Sequence, residues 1–251
     1  MSQYEPLIGA VVFLFTSGLV IFFSSKKIRT KFPPVFRKLS AAIKLRRAIG
    51  LAVEDGTRIH VSLGNGSLVD PANASALAGL STLNRIAQLA STSDLPPMCT
   101  SGSGDLQILS QDVLRGNASN THSLGQLDPG LARMTGVTPF TYAIGAVESM
   151  QDSGTSANVL IGDFGAEAAL LLDGAENQGS YKLAGSNSII AQSIFFAQAD
   201  DTLIGEEIYA LPAYLGSQAA HQASLRVQDI LRFIVILVLL GAVLTRLAGW
   251  A

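Results

Sequence analysis

The chain has 251 residues, 48% of them hydrophobic and 14% charged, with a formal charge of −2. Its one cysteine, Cys99, excludes disulfides within the chain and a thiolate zinc site. The charge is unevenly placed: nine Lys and Arg fall in residues 24–50, while residues 51–229 hold six bases against eighteen acids. So acidic a stretch is a poor partner for phosphate backbones, and no nucleic-acid binding is expected.

Leu7 to Phe23 is seventeen residues without a charge, near the lower limit for crossing a hydrocarbon core of about 30 Å. A secretory signal would carry its positive charge before the apolar run, whereas Met1 to Pro6 holds Glu5 and no base. The bases come afterwards, at Lys26, Lys27, Arg29, Lys31, Arg37, Lys38, Lys44, Arg46 and Arg47. Positive residues beside a span stay in the cytoplasm, which predicts residues 24–232 inside and both termini outside. In the basic segment, Val35, Phe36, Leu39, Ala42 and Ile43 share one helical face with Arg37, Lys38 and Lys44 off it. That pattern suits a helix lying on an anionic leaflet, set off from the span by Pro33 and Pro34, although Arg46 intrudes on the apolar face.

Alternation then takes over. Ile59, Val61 and Leu63 alternate with Arg58, His60 and Ser62, a half-buried strand with His60 on its polar face. After Gly64-Asn65-Gly66-Ser67, the pair Asp70-Pro71 opens a helix to about Ala90. A short strand at Met98 to Ser101 leads through Gly102-Ser103-Gly104-Asp105 into a helix carrying Leu106, Leu109, Val113 and Leu114. Gly116 to Pro129 is rich in Asn, Ser, Thr and Gly and reads as an exposed loop.

Thr138-Pro139 starts a helix to about Met150, Ala157 to Ile161 is a buried strand, and Gly165 to Gly174 is an apolar helix. Tyr181 to Ala184 is a strand and Ile189 to Ala199 a helix; Thr202 caps a further helix, bent at Pro212. From Ser217 to Leu247 nothing breaks the helical pattern. Phe233 to Leu244 alone is too short to span, but Ile230 to Trp250 suffices if Arg232 and Arg246 reach toward the interfaces.

Strands alternating with helices predict an α/β fold: a Rossmann-like layered cytosolic domain with a largely parallel sheet, flanked by N-terminal and C-terminal transmembrane helices. The expected divisions are a span over 1–24, a basic juxtamembrane segment over 25–50, the α/β domain over 51–216 and a long helix entering the membrane over 217–251.

Three glycine turns follow strands: Gly64 to Ser67, Gly102 to Asp105 and Gly162 to Gly165. Such loops bring backbone N–H groups and a helix start toward an anion, which makes Gly102, Ser103, Gly104, Asp105, Gly162, Asp163 and Gly165 candidate ligand-binding residues. The competing reading is that these glycines only make tight turns at the sheet edge. Gln107 stands where a dinucleotide fingerprint places its third glycine, and no loop ends in the Gly-Lys-Ser/Thr of a P-loop. No catalytic constellation emerges. His60, His122 and His221 are scattered, Cys99 reads as a core residue, and Asp200, Asp201, Glu206 and Glu207 suit a helix start. No metal and no cofactor are expected. The triplets at Asn65, Asn73 and Asn117 would be glycosylated only if the domain faced a secretory lumen.

Four strings resemble a bacterial family of two-pass membrane proteins classified only as a domain of unknown function. They are Leu51 to Gly56 with Ile59 to Gly64, Ser156 to Gly162 with Phe164-Gly165, Leu203 to Glu207, and Ala223 to Arg232. The resemblance implies an inner-membrane location and the anchor, domain, anchor plan, and it brings no catalytic residues. The expected function is structural: a homo-oligomer or scaffold at the bilayer, with other membrane proteins as further candidate partners. The alternative is a ligand-binding or enzymatic domain using the glycine loops for a nucleotide or small anion.

Overall fold

The computed structural model describes residues 5–31, 37–69, 74–120, 128–216 and 219–247. In chain order the elements are α1 (Glu5–Ser24), α2 (Lys26–Lys31), α3 (Ser40–Glu54), β1 (Arg58–Gly64), α4 (Ala74–Leu89), β2 (Met98–Ser101), α5 (Gly104–Asn120), β3 (Ala132–Met134), α6 (Pro139–Ser153), β4 (Thr155–Asp163), α7 (Ala168–Glu176), β5 (Tyr181–Ser186), α8 (Ile189–Gln198), β6 (Asp201–Leu203), α9 (Glu207–Leu215) and α10 (Ala219–Leu247). They form two compact units, one from the terminal segments 1–38 and 216–251, the other Leu39–Leu215.

In the terminal unit, α1 and α10 lie against each other and are both long and apolar enough to cross a membrane. The Arg226 guanidinium carbon sits 5.9 Å from the centre of the Phe23 ring, a cation–π contact between the two helices. At 29 residues, α10 is about 43 Å long and exceeds a hydrocarbon core by roughly nine residues, so its first turns, with Arg226, have length to spare outside one.

The second unit is a six-stranded sheet, parallel throughout, in the order β3-β2-β1-β4-β5-β6. One face is apolar along its central strands, with Ile59, Val61, Leu63, Ala157, Val159, Ile161 and Leu183 beneath α3, α4, α5 and α9. The other, under α6, α7 and α8, mixes Leu160, Ala184, Phe164 and Phe195 with buried His60, Ser62, Thr100 and Asn158. This is the doubly wound arrangement, and it requires both faces to be covered. β1 is therefore buried on both faces, and His60, expected on an exposed polar face, is fully enclosed.

Local signals set the helix ends. Thr138 and Thr141 form a reciprocal capping box with Pro139 in the first turn of α6, and Gly154, at φ 61°, ends that helix. The Ser188 side chain accepts from the Ala191 N–H at the start of α8.

The amphipathic helix expected on a leaflet is α3, and its apolar stripe is turned inward: Leu39, Ala42, Leu45, Ile49 and Ala52 are part of the sheet's core, while Ile43 is exposed. Arg46, the apparent intruder, donates to the Tyr214 and Leu215 carbonyls at 2.8 and 2.9 Å, satisfying the free end of α9, and Lys44 pairs with Asp201 at 3.0 Å. Pro33, Pro34, Val35 and Phe36 lie outside the described residues.

Other boundaries also differ from the expectation. α5 continues to Asn120, so the loop anticipated from Gly116 is shorter; residues 121–127, with His122, lie outside the described residues, and β3 follows a 3-10 turn at Pro129–Leu131. Thr202 lies in β6 and caps no helix; its hydroxyl donates to the Phe195 carbonyl, and α9 begins at Glu207. The helix expected from Gly165 starts at Ala168. Asp70, Pro71, Asn73, Ser217 and the residues beyond Leu247 lie outside the described set.

Candidate functional site

The winding of the sheet reverses between β1 and β4: α4 leaves β1 toward one face and α7 leaves β4 toward the other. In open parallel sheets a crevice forms at this point beyond the carboxyl ends of the strands. Here the strand ends approach so closely that side chains are excluded. A Cβ on Gly64 would overlap the Asp163 carbonyl, and one on Gly162 would overlap that of Leu63. Gly64 also holds φ 75°, a left-handed conformation that favours glycine.

The three glycine loops meet at this point. The Asn65 N–H donates to the Asp163 carbonyl at 2.9 Å, and the Gly102 N–H donates to the Gly64 carbonyl at 2.9 Å. The Ser103 hydroxyl donates to the Gly66 carbonyl at 2.9 Å. The β1 loop is thus clamped between the β2 and β4 loops, and the anticipated Gly102 to Asp105 and Gly162 to Gly165 segments flank it. Gly104 has open space around its Cα, whereas the Gly165 N–H is taken by Glu167, at 2.7 Å.

Asp105 decides what the loop can offer. One carboxylate oxygen accepts from the Ser67 hydroxyl at 2.8 Å and the Leu68 N–H at 2.7 Å; the other accepts from its neighbour's N–H at Leu106, at 2.9 Å. Partial burial alone would raise this carboxyl, but the hydrogen bonds from Ser103, Leu68, Ser67 and Leu106 outweigh it and hold the group down at about 2. A permanent carboxylate therefore occupies loop donors that a bound phosphate would use. The Asn65 Oδ1, packed against Gly102, is a buried acceptor without a hydrogen-bond partner.

Beneath the crevice lies a polar network that sequence reasoning missed. The Tyr142 hydroxyl accepts from the Gly64 N–H at 3.1 Å and shares a hydrogen bond with Ser62. His60 Nδ1 lies 3.0 Å from Asn158 Oδ1, and its Nε2 lies 2.8 Å from the Thr100 hydroxyl. Asn158 Nδ2 donates to the Ser180 hydroxyl at 2.6 Å, and that hydroxyl donates onward to the Ala175 carbonyl. These partners fit a neutral imidazole with its proton on Nδ1. Burial pushes His60 down to about 4, against the smaller opposing effect of Asn158. The only hint in the sequence was the polar residues alternating along β1.

Cys99 is buried and points to Ser110, 3.4 Å away; burial pushes its thiol up to about 12, which leaves it inert. Among the described residues no group of three or more His, Cys, Asp or Glu is gathered to hold a metal ion. A groove of about 290 Å³ at the opposite edge is lined by Asp173, Glu176 and Lys182, with Leu172, Ala197 and Gln198. Its one base, Lys182, is already paired with Glu176.

The profile of a family described as a domain of unknown function, DUF6754, matches residues 2–250. The chain belongs to this family. No curated protein and no solved structure matches it. The DUF6754 match covers both of the helices that are long and apolar enough to cross a membrane as well as the α/β unit.

Proposed function

We propose that the protein is a two-pass membrane protein of a bacterial inner membrane whose residues 24–232, the α/β domain among them, face the cytoplasm and which serves a structural role as a homo-oligomer. The nine bases that follow the first apolar helix support this orientation, since flanking Lys and Arg are retained on the cytoplasmic side. The observation that carries the structural role is the Asp105 carboxylate, which ties up the β1 loop from within and leaves the crevice braced. Two spans on one chain also confine copies to a plane, where symmetric association is favoured by geometry. Cross-linking in washed membranes tests this: links between copies support it, and their absence under conditions that link a known membrane oligomer counts against it.

A second reading has one observation in its favour, the partnerless Asn65 Oδ1 at the reversal point of the sheet. It makes the crevice a site for a donor-bearing ligand such as a nucleotide, bounded by Gly102, Ser103, Gly104, Asp105, Gly162, Asp163 and Gly165. A thermal-shift panel of nucleotides and small anions separates the two readings, because only this one expects stabilisation.

A further inference from the structure

We infer that the bases at the end of α1 form a seat for anionic phospholipid headgroups, built from Lys26 and Lys27 of α2 together with Arg226 of α10. The inference rests on α1 lying in a bilayer and goes beyond the structural reading by naming a ligand class. Only Ser25 separates α1 from α2, and the backbone keeps turning through it. The Ser25 N–H donates to the Phe22 carbonyl at 3.3 Å, and the Ile28 N–H donates to the Ser25 carbonyl at 3.2 Å. At about 1.5 Å per residue, Lys26 and Lys27 therefore stand about 5–6 Å past Phe23. That is roughly the depth of the headgroup layer on either side of a hydrocarbon core. α10 brings a third base to the same level, because the Arg226 guanidinium carbon lies 5.9 Å from the centre of the Phe23 ring.

Charge decides the occupant. Lys26 and Lys27 are exposed, and among the described residues neither is paired with an acid. Bases within the α/β domain are engaged there instead: Lys44 with Asp201, Lys182 with Glu176, and Arg46 with the last carbonyls of α9. Residues 24–50 hold nine bases and no acid, whereas residues 51–229 hold six bases against eighteen acids. The positive pole of the chain thus directly follows its first apolar helix. A phosphodiester is the anion a bilayer offers at this depth, and basic segments beside a span attract anionic lipid. A zwitterionic headgroup carries its own ammonium and gains far less. Dissolved phosphate is outcompeted, because a lipid is already held at the level of the seat at high effective concentration.

The test uses the full-length chain in nanodiscs of phosphatidylcholine and phosphatidylglycerol in equal parts. Spin-labelled forms of the two lipids, read by electron paramagnetic resonance, report how much of each the protein immobilises. A disc has two equivalent leaflets, so the orientation of the chain does not enter. The inference expects wild type to prefer phosphatidylglycerol at least about threefold. The preference should vanish in the double variant Lys26→Gln, Lys27→Gln, and in wild type at about 1 M salt. Arg115→Gln with Arg133→Gln removes the same charge from α5 and β3, and should leave the preference intact. Melting curves near that of wild type confirm that both variants are folded. An equal loss in the second variant would overturn the assignment to α2. So would a preference that survives the lysine changes, or one that inorganic phosphate abolishes at unchanged ionic strength. A chain that stays out of the discs would instead remove the membrane reading on which the inference rests.

Discussion

The Leu68 N–H donates to the Asp105 carboxylate at 2.7 Å, joining the loop after the first strand to the start of the helix after the second. With the Ser67 hydroxyl on the same oxygen, this makes one acidic side chain the fastening of the crevice. Replacing Asp105 with Ala should destabilise the domain by about 1–3 kcal/mol, since a partly buried N–H and hydroxyl lose their acceptor. The same change vacates loop donors, so inorganic phosphate should raise the melting temperature of the variant and leave wild type unmoved. Equal responses in the two proteins would refute the idea that Asp105 fills an anion position.

Acid should weaken the domain in two stages. His60 is held near 4 when folded against 6.5 in a free chain, so the unfolded state binds more protons between these values. Its contribution is complete above pH 6.5 and is lost as pH falls toward 4, by about 3 kcal/mol at most. Asp105, lowered from 3.8 to about 2, adds a second loss as pH falls through that lower window. Urea titrations from pH 7 to 4 should show the first stage in wild type and a much flatter profile in His60→Gln. An unchanged profile would remove His60 as the cause.

Leu45 distinguishes a helix in the core from one on a leaflet. It is fully buried in α3, so Leu45→Ala should cost about 2–5 kcal/mol in chemical denaturation of the α/β domain. A helix lying on lipid would leave that transition where it was.

Glycine positions separate close packing from mere flexibility. A Cβ on Gly79 would overlap the Ile161 carbonyl where α4 crosses the sheet, so Gly79→Ala should cost about 1–3 kcal/mol. Gly116 in α5 has open space around it, and Gly116→Ala should instead stabilise by about 0.5–1 kcal/mol. Melting curves of the two variants should move in opposite directions.

Orientation is open to labelling. Gln151→Cys sits on an exposed turn of α6, while Cys99 is buried. An impermeant maleimide should reach position 151 only after intact cells are permeabilised; labelling beforehand would place the domain outside. A glycan on Asn117 would carry the same message, and its side chain is already engaged with the Asn84 side chain and the Val113 carbonyl.

The layered α/β fold was legible because β1, β4 and β5 are long enough to show their pattern and each is followed by a helix. β3 and β6 escaped notice: at three residues each, an edge strand has no period to read. α3 was placed on lipid because an apolar stripe looks the same whether it covers a sheet or a leaflet; only the partners of Lys44 and Arg46, more than 150 residues away, tell the two apart. The glycine loops were visible as turns. Their joining through Asp105 was not, since the contact spans 37 residues and belongs to no motif.

The copy number of the full-length chain in a bilayer tests the structural reading most directly, read by mass photometry of nanodiscs over a dilution series. The account predicts two or more copies per particle, persisting on dilution and unaffected by added nucleotide. A single copy at every concentration would contradict it.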